Sequence, residues 1–378
     1  MKVEFYRHGL GAEELAAVER VLGTLFLTTG PETRGFEEEF AGYLGVPHAV
    51  GVSSCSMALL LALKALGVGP GDEVITTPLS YVATTNAILH AGARPVFVDV
   101  EPDTGNLDVS LVPGAITERT RAVLPVHLYG LMCDMRSLGR LARREKLLVI
   151  EDSAHCVEGR RDGLAPGQGS HAACFSFYAT KNLSCAEGGA VTCRRGHVAA
   201  RLRQLRNHGV DRDASARHGQ GVLHWDQMDL GYKANLPDLL AAMLRPQLRH
   251  VAERCARRQE IARRYDDAFR GVPDLSVTNV PRGASSARHL YTIQVPPARR
   301  DEMLSGLREA GVGCAVNYRP IHRLRYMRKE LGYRQGAFPV AERIGASTIS
   351  LPMYPDLPHD EQDAVIQQVV RLVRTGGG

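Results

Sequence analysis

The chain has 378 residues, enough to bury a substantial core, and its hydrophobic (44%) and charged (23%) fractions are those of an ordinary globular protein. Its net charge of +5 is spread along the sequence, and the densest basic run, 254–264, carries an acidic residue inside it, which marks a solvated helix face rather than a nucleic-acid surface. No apolar run approaches the roughly 18 residues that span a bilayer. The opening MKVEFYRHGL lacks a secretory segment, no histidine cluster resembles a metal site, and eight cysteines without a C-x-x-C pair suit reduced thiols in a cytoplasm.

An amphipathic helix is expected over residues 12–25. Strands and helices then alternate. HAVGVSS reads as a strand before the helix SMALLLALKALG, which Gly67 ends, and DEVITTP as a strand before SYVATTNAILHAG, closed by Gly92. RPVFVDV is a strand, RAVLPVHLYG a strand before the helix MRSLGRLARREK, and LLVIEDSA a strand; HAACFSFYA and GAVTCR add two more with no helix between them. This alternation predicts an α/β fold, a mostly parallel sheet with helices on both faces. Residues 236–269 read as helical, with Pro246 expected to kink or restart the helix, and the domain join is placed there. A large α/β domain would span 1–245 and a small α+β domain 246–378. In the small domain HLYTIQV reads as a strand, RRDEMLSGLREAG as a helix and GVGCAVNY as a strand, followed by an irregular stretch and a last helix.

Open α/β sheets bind ligands beyond the carboxyl ends of their strands, and four segments bring polar residues there. In GVSSCSMAL, residues Ser53, Ser54 and Ser56 lead into a helix start, either as an ordinary cap or as a phosphate site. PLSYVATTN puts Tyr81 after a strand end, as a rim residue or as a stacking plate. LLVIEDSAHC ends a buried strand in two carboxylates, of which Asp152 either caps the turn or meets a cation. FSFYATKNLSCAEGGAV sets Lys181, one of six lysines against forty arginines, after a strand buried on both faces. A desolvated amine can lose its proton and condense with a carbonyl, which a guanidinium cannot. Taken together, these groups match pyridoxal 5′-phosphate: phosphate on the turn 53–57, Tyr81 on the pyridine ring, Asp152 at the ring nitrogen and Lys181 holding the aldehyde as a Schiff base.

In TTGPETRGFEEEFAGYLG, VSSCSMALLLAL, GDEVITTPLSYVATTNAI, GARPVFVDVEPDT, VIEDSAHCVEG, FSFYATKNLSCAEGGAV, RNHG, GYKANLPDLLAAM, VNYRPIH and LPMYPDL, the chain resembles the DegT/DnrJ/EryC1/StrS sugar aminotransferases over nearly its whole length. The resemblance implies a type I, aspartate-aminotransferase-like pyridoxal-phosphate fold, with pyridoxamine phosphate as the intermediate cofactor form. It implies Lys181 and Asp152 as the catalytic residues. Ser56, Met57 and Ser176 would hold the phosphate, His155 would lie near the ring opposite Tyr81, and Asn235 would reach in from the other subunit of a homodimer with shared active sites. The substrate contacts it implies are Thr28, Thr29, Asn207, His208, Tyr318 and His322, with L-glutamate as amino donor.

Within the family, NLSCAEGG, RNHG and GYKANLPD look closest to the enzymes that aminate a nucleotide-linked 4-keto-pentose to 4-amino-4-deoxy-L-arabinose. The dTDP-4-keto-6-deoxyhexose 4-aminotransferases are also close, and a 3-keto-sugar aminotransferase is the alternative. Tyr178 departs from the histidine that many members carry, and Tyr81 from their Trp or Phe. A sister group of sugar dehydratases replaces the lysine with histidine, and Lys181 argues against that activity. No G-x-G-x-x-G follows the first strand, which argues against a nicotinamide-dependent dehydrogenase. A DNA-binding regulator would rest on the helix at 254–264, where nothing resembles a recognition helix.

Overall fold

A computed structural model describes residues 2–211 and 224–375. Near-continuous runs of small and β-branched apolar residues give the strands of its central sheet: β1 (His48–Val52), β2 (Glu73–Thr76), β3 (Arg94–Phe97), β4 (Thr120–Leu124) and β5 (Leu148–Asp152). The short β6 (Arg160–Arg161) lies outside this sheet, and β7 (Ala172–Ser176) and β8 (Gly189–Cys193) complete it. The order is β1-β8-β7-β5-β4-β2-β3. β3, β2, β4, β5 and β7 pair in parallel, while β8 runs antiparallel to both of its neighbours. All five residues of β7 and of β8 are buried, as a sheet covered on both faces requires.

One face is covered by the helices Cys55–Ala65, Ala83–Ala91 and Gly196–Leu205, whose Leu59, Leu61, Leu63, Ile88 and Leu202 pack on Val50, Ile150 and Val191. On the other face the helix Pro31–Leu44 lays Phe36 and Phe40 against Phe175 and Phe177, with ring centroids 5.0–5.5 Å apart, mostly edge to face. Gly67 and Gly92 follow their helices at φ +77° and +88°, left-handed positions that a glycine fills without strain. The first helix stops at Leu22, three residues short of the expected end, because Gly23 takes over as its cap.

Toward the C-terminus a second sheet of order β12-β11-β9 forms from β9 (Ser276–Val277), β11 (Tyr291–Gln294) and β12 (Thr348–Leu351). Between them β10 (Ala284–Ser285) pairs with β6. The helices Val251–Phe269, Pro297–Glu309 and His359–Thr375 pack on that second sheet, and Val3 returns from the N-terminal end to join the same core.

Three expectations need correction. The helical stretch breaks at His250 (φ −99°, ψ 5°), whereas Pro246 sits inside the helix Asp238–Arg249. There the Gln247 side chain donates to the Met243 carbonyl at 2.6 Å, which supplies a donor to the turn that the proline disturbs. GVGCAVNY forms no named strand; Val312 makes an isolated bridge to Val3 and Ala315 one to Ser350. Besides β9, β11 pairs with β12, which lies in the stretch expected to be irregular and follows the helix Pro339–Ser347 without an intervening turn. With no Gly, Pro or Asn between them, the sequence carries no boundary signal.

Candidate active site

The carboxyl ends of β1, β2, β5 and β7 open on one cavity of about 490 Å³, which Asn317 and Tyr318 reach from the C-terminal part of the chain. Each strand contributes. After β1, Ser54 caps the helix Cys55–Ala65 by accepting from the Met57 N–H at 3.2 Å, and Ser54, Cys55 and Ser56 at this helix start line the cavity. Ser176, the last residue of β7, lines the same wall. Gly189 makes this packing possible: a Cβ there would lie 2.5–2.7 Å from the backbone of Ser54 and Cys55.

The two carboxylates that end β5 part company. Glu151 is fully buried away from the cavity, where it meets His127 Nε2 at 2.6 Å and accepts from the Gly167 N–H at 3.0 Å. Asp152 lines the cavity; its Oδ2 accepts from Thr84 Oγ1 at 2.7 Å and its Oδ1 from the Ala154 N–H at 3.1 Å. Thr84 spends its one hydroxyl proton on Asp152, so Ser80 Oγ, 2.8 Å away, donates to Thr84 in turn. Burial pushes the Asp152 carboxyl above its ordinary range, against the pull of these donors and of the Lys181 charge.

Lys181 follows β7 through a turn in which its N–H donates to the Tyr178 carbonyl at 2.8 Å. Burial pushes its amine down to about 8, while Cys55 and Asp152 pull the other way. Its Nζ lies 3.5 Å from His289 Nε2. Near neutral pH an appreciable share of that amine carries a free lone pair, as a nucleophile or general base requires. The Cys55 thiol beside it is pushed well up by burial and stays protonated.

His155 is buried, and that burial together with Lys181 holds it well below the ordinary histidine range, so it is neutral. Its Nδ1 accepts from the Tyr129 N–H at 3.3 Å, which leaves the ring proton on Nε2 to donate to Tyr318 Oη at 3.1 Å. Tyr81, 61% exposed, stands on the cavity rim with its ring centroid 6.1 Å from that of Tyr318. Tyr178 lines the cavity as well and is 45% exposed.

Of the residues singled out from the sequence, Ser56, Tyr81, Asp152, His155, Ser176, Lys181 and Tyr318 share this cavity. Met57 contributes its backbone to the helix turn, while its side chain packs on the core. Asn235 donates to Thr29 Oγ1 at 2.7 Å beside the exposed Thr28, Asn207 bridges to Lys233 and the His208 N–H donates to the Tyr232 carbonyl at 2.9 Å; none of these lines the cavity of its own chain. His322 departs most from expectation. It is fully buried, its Nε2 meets Glu342 at 2.9 Å, its ring packs edge-on to Phe338, and it does not line the cavity. Residues missed in the sequence are Ser80, Thr84, His289 and Asn317; Glu187, the carboxylate of FSFYATKNLSCAEGGAV that has no assigned role, lines the cavity next to Ala186, which holds φ +69°.

These groups fit pyridoxal phosphate on the structure's own terms. A buried carboxylate has two donors and, among the described residues, no ion pair, as a partner for a ring N–H would. A helix start with serines suits a phosphate, and a depressed lysine amine suits an aldehyde. Residues 9–370 match the model of the DegT/DnrJ/EryC1/StrS aminotransferase family. The spore coat polysaccharide biosynthesis protein SpsC of Bacillus subtilis is 41% identical over 371 residues, 97% of this chain and 95% of that protein. Among solved structures, Spr1654 from Streptococcus pneumoniae, provisionally assigned as a sugar aminotransferase and solved in its PMP form, superposes with a TM-score of 0.94 at 30% identity, covering 99% and 100% of the two chains. DesV of S. venezuelae gives 0.90 at 38% identity over 96% and 94%. The chain belongs to the DegT/DnrJ/EryC1/StrS aminotransferase family. It is an aminotransferase with the type I pyridoxal-phosphate fold, and pyridoxal phosphate is its cofactor.

Proposed function

We propose that this aminotransferase moves the amino group of L-glutamate onto a nucleotide-linked 4-keto sugar, a pentose or a 6-deoxyhexose carried by UDP or dTDP, in two half-reactions in the cytoplasm. The observation that carries this reading is the convergence of Lys181, Asp152 and the Ser54-capped helix start on one cavity. The kinship with SpsC, a polysaccharide biosynthesis protein, and with Spr1654 favours a sugar as acceptor. A 3-keto sugar is the second reading, because the same motifs accompany it.

When bound, pyridoxal phosphate supplies an aldehyde for the amines and a protonated ring that withdraws electrons. The chain's residues do the rest. Asp152 keeps the ring nitrogen protonated from within a low-dielectric site, and the Ser80–Thr84 hydrogen-bond chain fixes its aim. The amides of the helix start, with Ser56, Met57 and Ser176, hold the phosphate. Tyr81 and His155 flank the ring. Lys181 would hold the cofactor's aldehyde and, as a free amine, would take a proton from the donor's Cα and return one to the sugar carbon that receives nitrogen. Tyr318 faces the substrate side.

In the homodimer of this reading, Asn235 reaches into the partner's cavity, Thr28, Thr29, Asn207 and His208 contact the substrate, and residues 1–245 and 246–378 act as the large and small domains. His322 is given no substrate contact. Among the described residues no helix is long and apolar enough to cross a membrane. The reading is tested by incubating the purified protein with L-glutamate and a panel of UDP- and dTDP-linked 4-keto and 3-keto sugars. Amination of a 4-keto substrate is expected. Exclusive turnover of a 3-keto substrate would transfer the assignment to the second reading, and inertness toward the whole panel would remove both.

A further inference from the structure

We infer that His289 is the positioning residue that turns the lone pair of Lys181 into the cavity. The inference rests on the role proposed for Lys181. His289 begins the segment that leads into β11 and is buried, yet it stands 3.5 Å from Lys181 Nζ through Nε2 and 4.4 Å, ring to ring, from His155. Its tautomer is fixed from behind. Both oxygens of Glu158 accept from Asn182 Nδ2, at 2.9 and 3.2 Å, and the Ala287 carbonyl accepts from the same nitrogen at 3.1 Å. That anchors the amide with Oδ1 toward His289 Nδ1, at 3.2 Å. Glu158 is itself held by a fully buried ion pair with Arg258.

An amide oxygen only accepts, so His289 Nδ1 carries the ring proton and Nε2 presents a lone pair. The charged and titratable groups around the ring are Lys181, His155 and Arg258, cationic or neutral, and Glu158 is turned to Arg258 and Asn182. Among the described residues nothing around the ring favours an imidazolium, so it remains an acceptor. An amine that gives one N–H to His289 points its own lone pair away from it, toward the cavity that Asp152 also faces.

Two consequences can be separated. With His289 in place, the neutral amine is aimed and reacts faster. The ammonium form also gains an acceptor, so the amine titrates higher than burial alone would set it. Removing the acceptor therefore lowers both the reactivity of the free amine and the pH at which it appears.

The experiment measures, across pH, the rate at which cofactor-free protein captures added pyridoxal phosphate on Lys181, with the attachment point read by mass spectrometry after borohydride reduction. His289→Leu is expected to lower the high-pH plateau roughly tenfold or more and to move the midpoint to lower pH. His289→Gln, which keeps an acceptor near the Nε2 position, is expected to recover much of both, and Asn182→Leu, which frees the tautomer, to show a weaker form of the His289→Leu effect. A wild-type plateau and midpoint in His289→Leu would overturn the inference, as would a lowered plateau with an unmoved midpoint, the mark of a merely structural role. Failure of the wild-type chain to capture cofactor at Lys181 would instead overturn the reading of the cavity.

Discussion

Thr84 Oγ1 donates to Asp152 Oδ2 across 2.7 Å, joining the first turn of one helix to the end of a strand 68 residues later in the chain. The bond keeps a buried carboxylate aimed at the cavity, while burial makes Asp152 a place where stability and activity pull in opposite directions.

Burial raises the Asp152 pKa in the folded, cofactor-free chain, so the folded state holds that proton more tightly than the unfolded state. Stability from this group is therefore fully present below the unfolded carboxylate pKa and is lost as pH rises through the folded one. Asp152→Asn is expected to raise the thermal midpoint of the cofactor-free protein at neutral pH and to lower kcat on the order of a hundredfold to a thousandfold. Thr84→Val removes one donor and should push the carboxyl further up, moving the acid limb of the pH–rate profile to higher pH. Thermal melts and a pH profile check both; an unmoved midpoint in Asp152→Asn would count against the burial argument.

Capture of cofactor by the cofactor-free chain depends on the neutral form of Lys181. With its amine pushed down to about 8, the capture rate should climb as pH rises through that value and level off above it. A midpoint near the ordinary lysine range, followed by stopped-flow absorbance, would show that burial does not desolvate this amine.

Gly189→Ala would press a methyl group against the Ser54–Cys55 backbone, where a Cβ meets atoms at 2.5–2.7 Å. Overpacking of this kind costs about 1–3 kcal/mol. The displaced element is the helix start assigned to the phosphate, so weaker cofactor binding should accompany a lower unfolding free energy. Calorimetric titration with pyridoxal phosphate and denaturant unfolding measure the two; a stability loss with wild-type affinity would separate Gly189 from the phosphate site.

His322→Leu separates packing from recognition. It removes the bond to Glu342 and should lower stability by about 1–2 kcal/mol while kcat and KM stay essentially unchanged. A specific rise in the KM of the sugar would restore His322 to the substrate site.

The α/β sheet was legible because its strands carry period and composition: β5 and β7 are apolar runs that end abruptly in Asp152 and Ser176. Lys181 was legible because a lone lysine after a doubly buried strand is chemically anomalous. His289 was not, since its meaning lies in its approach to Lys181, 108 residues away in the chain, and no local pattern in RHLYTIQV announces it. Thr84 was hidden for the same reason. His322 lies in the core rather than on the cavity wall because VNYRPIH runs in one stretch from a cavity residue, Tyr318, and four residues suffice to turn the chain inward. Strand β12 was lost for want of a turn signal between it and the preceding helix.

The central claim is that Lys181 binds the cofactor covalently. Reducing the cofactor-loaded, full-length protein with borohydride and mapping the modified peptide tests it directly, because the chain offers only six lysines. The reduced cofactor is expected on the peptide that contains Lys181, and none in Lys181→Ala, which should also lose its yellow absorbance and turnover. Cofactor fixed to any of the other five lysines, or a yellow and active Lys181→Ala, would contradict it.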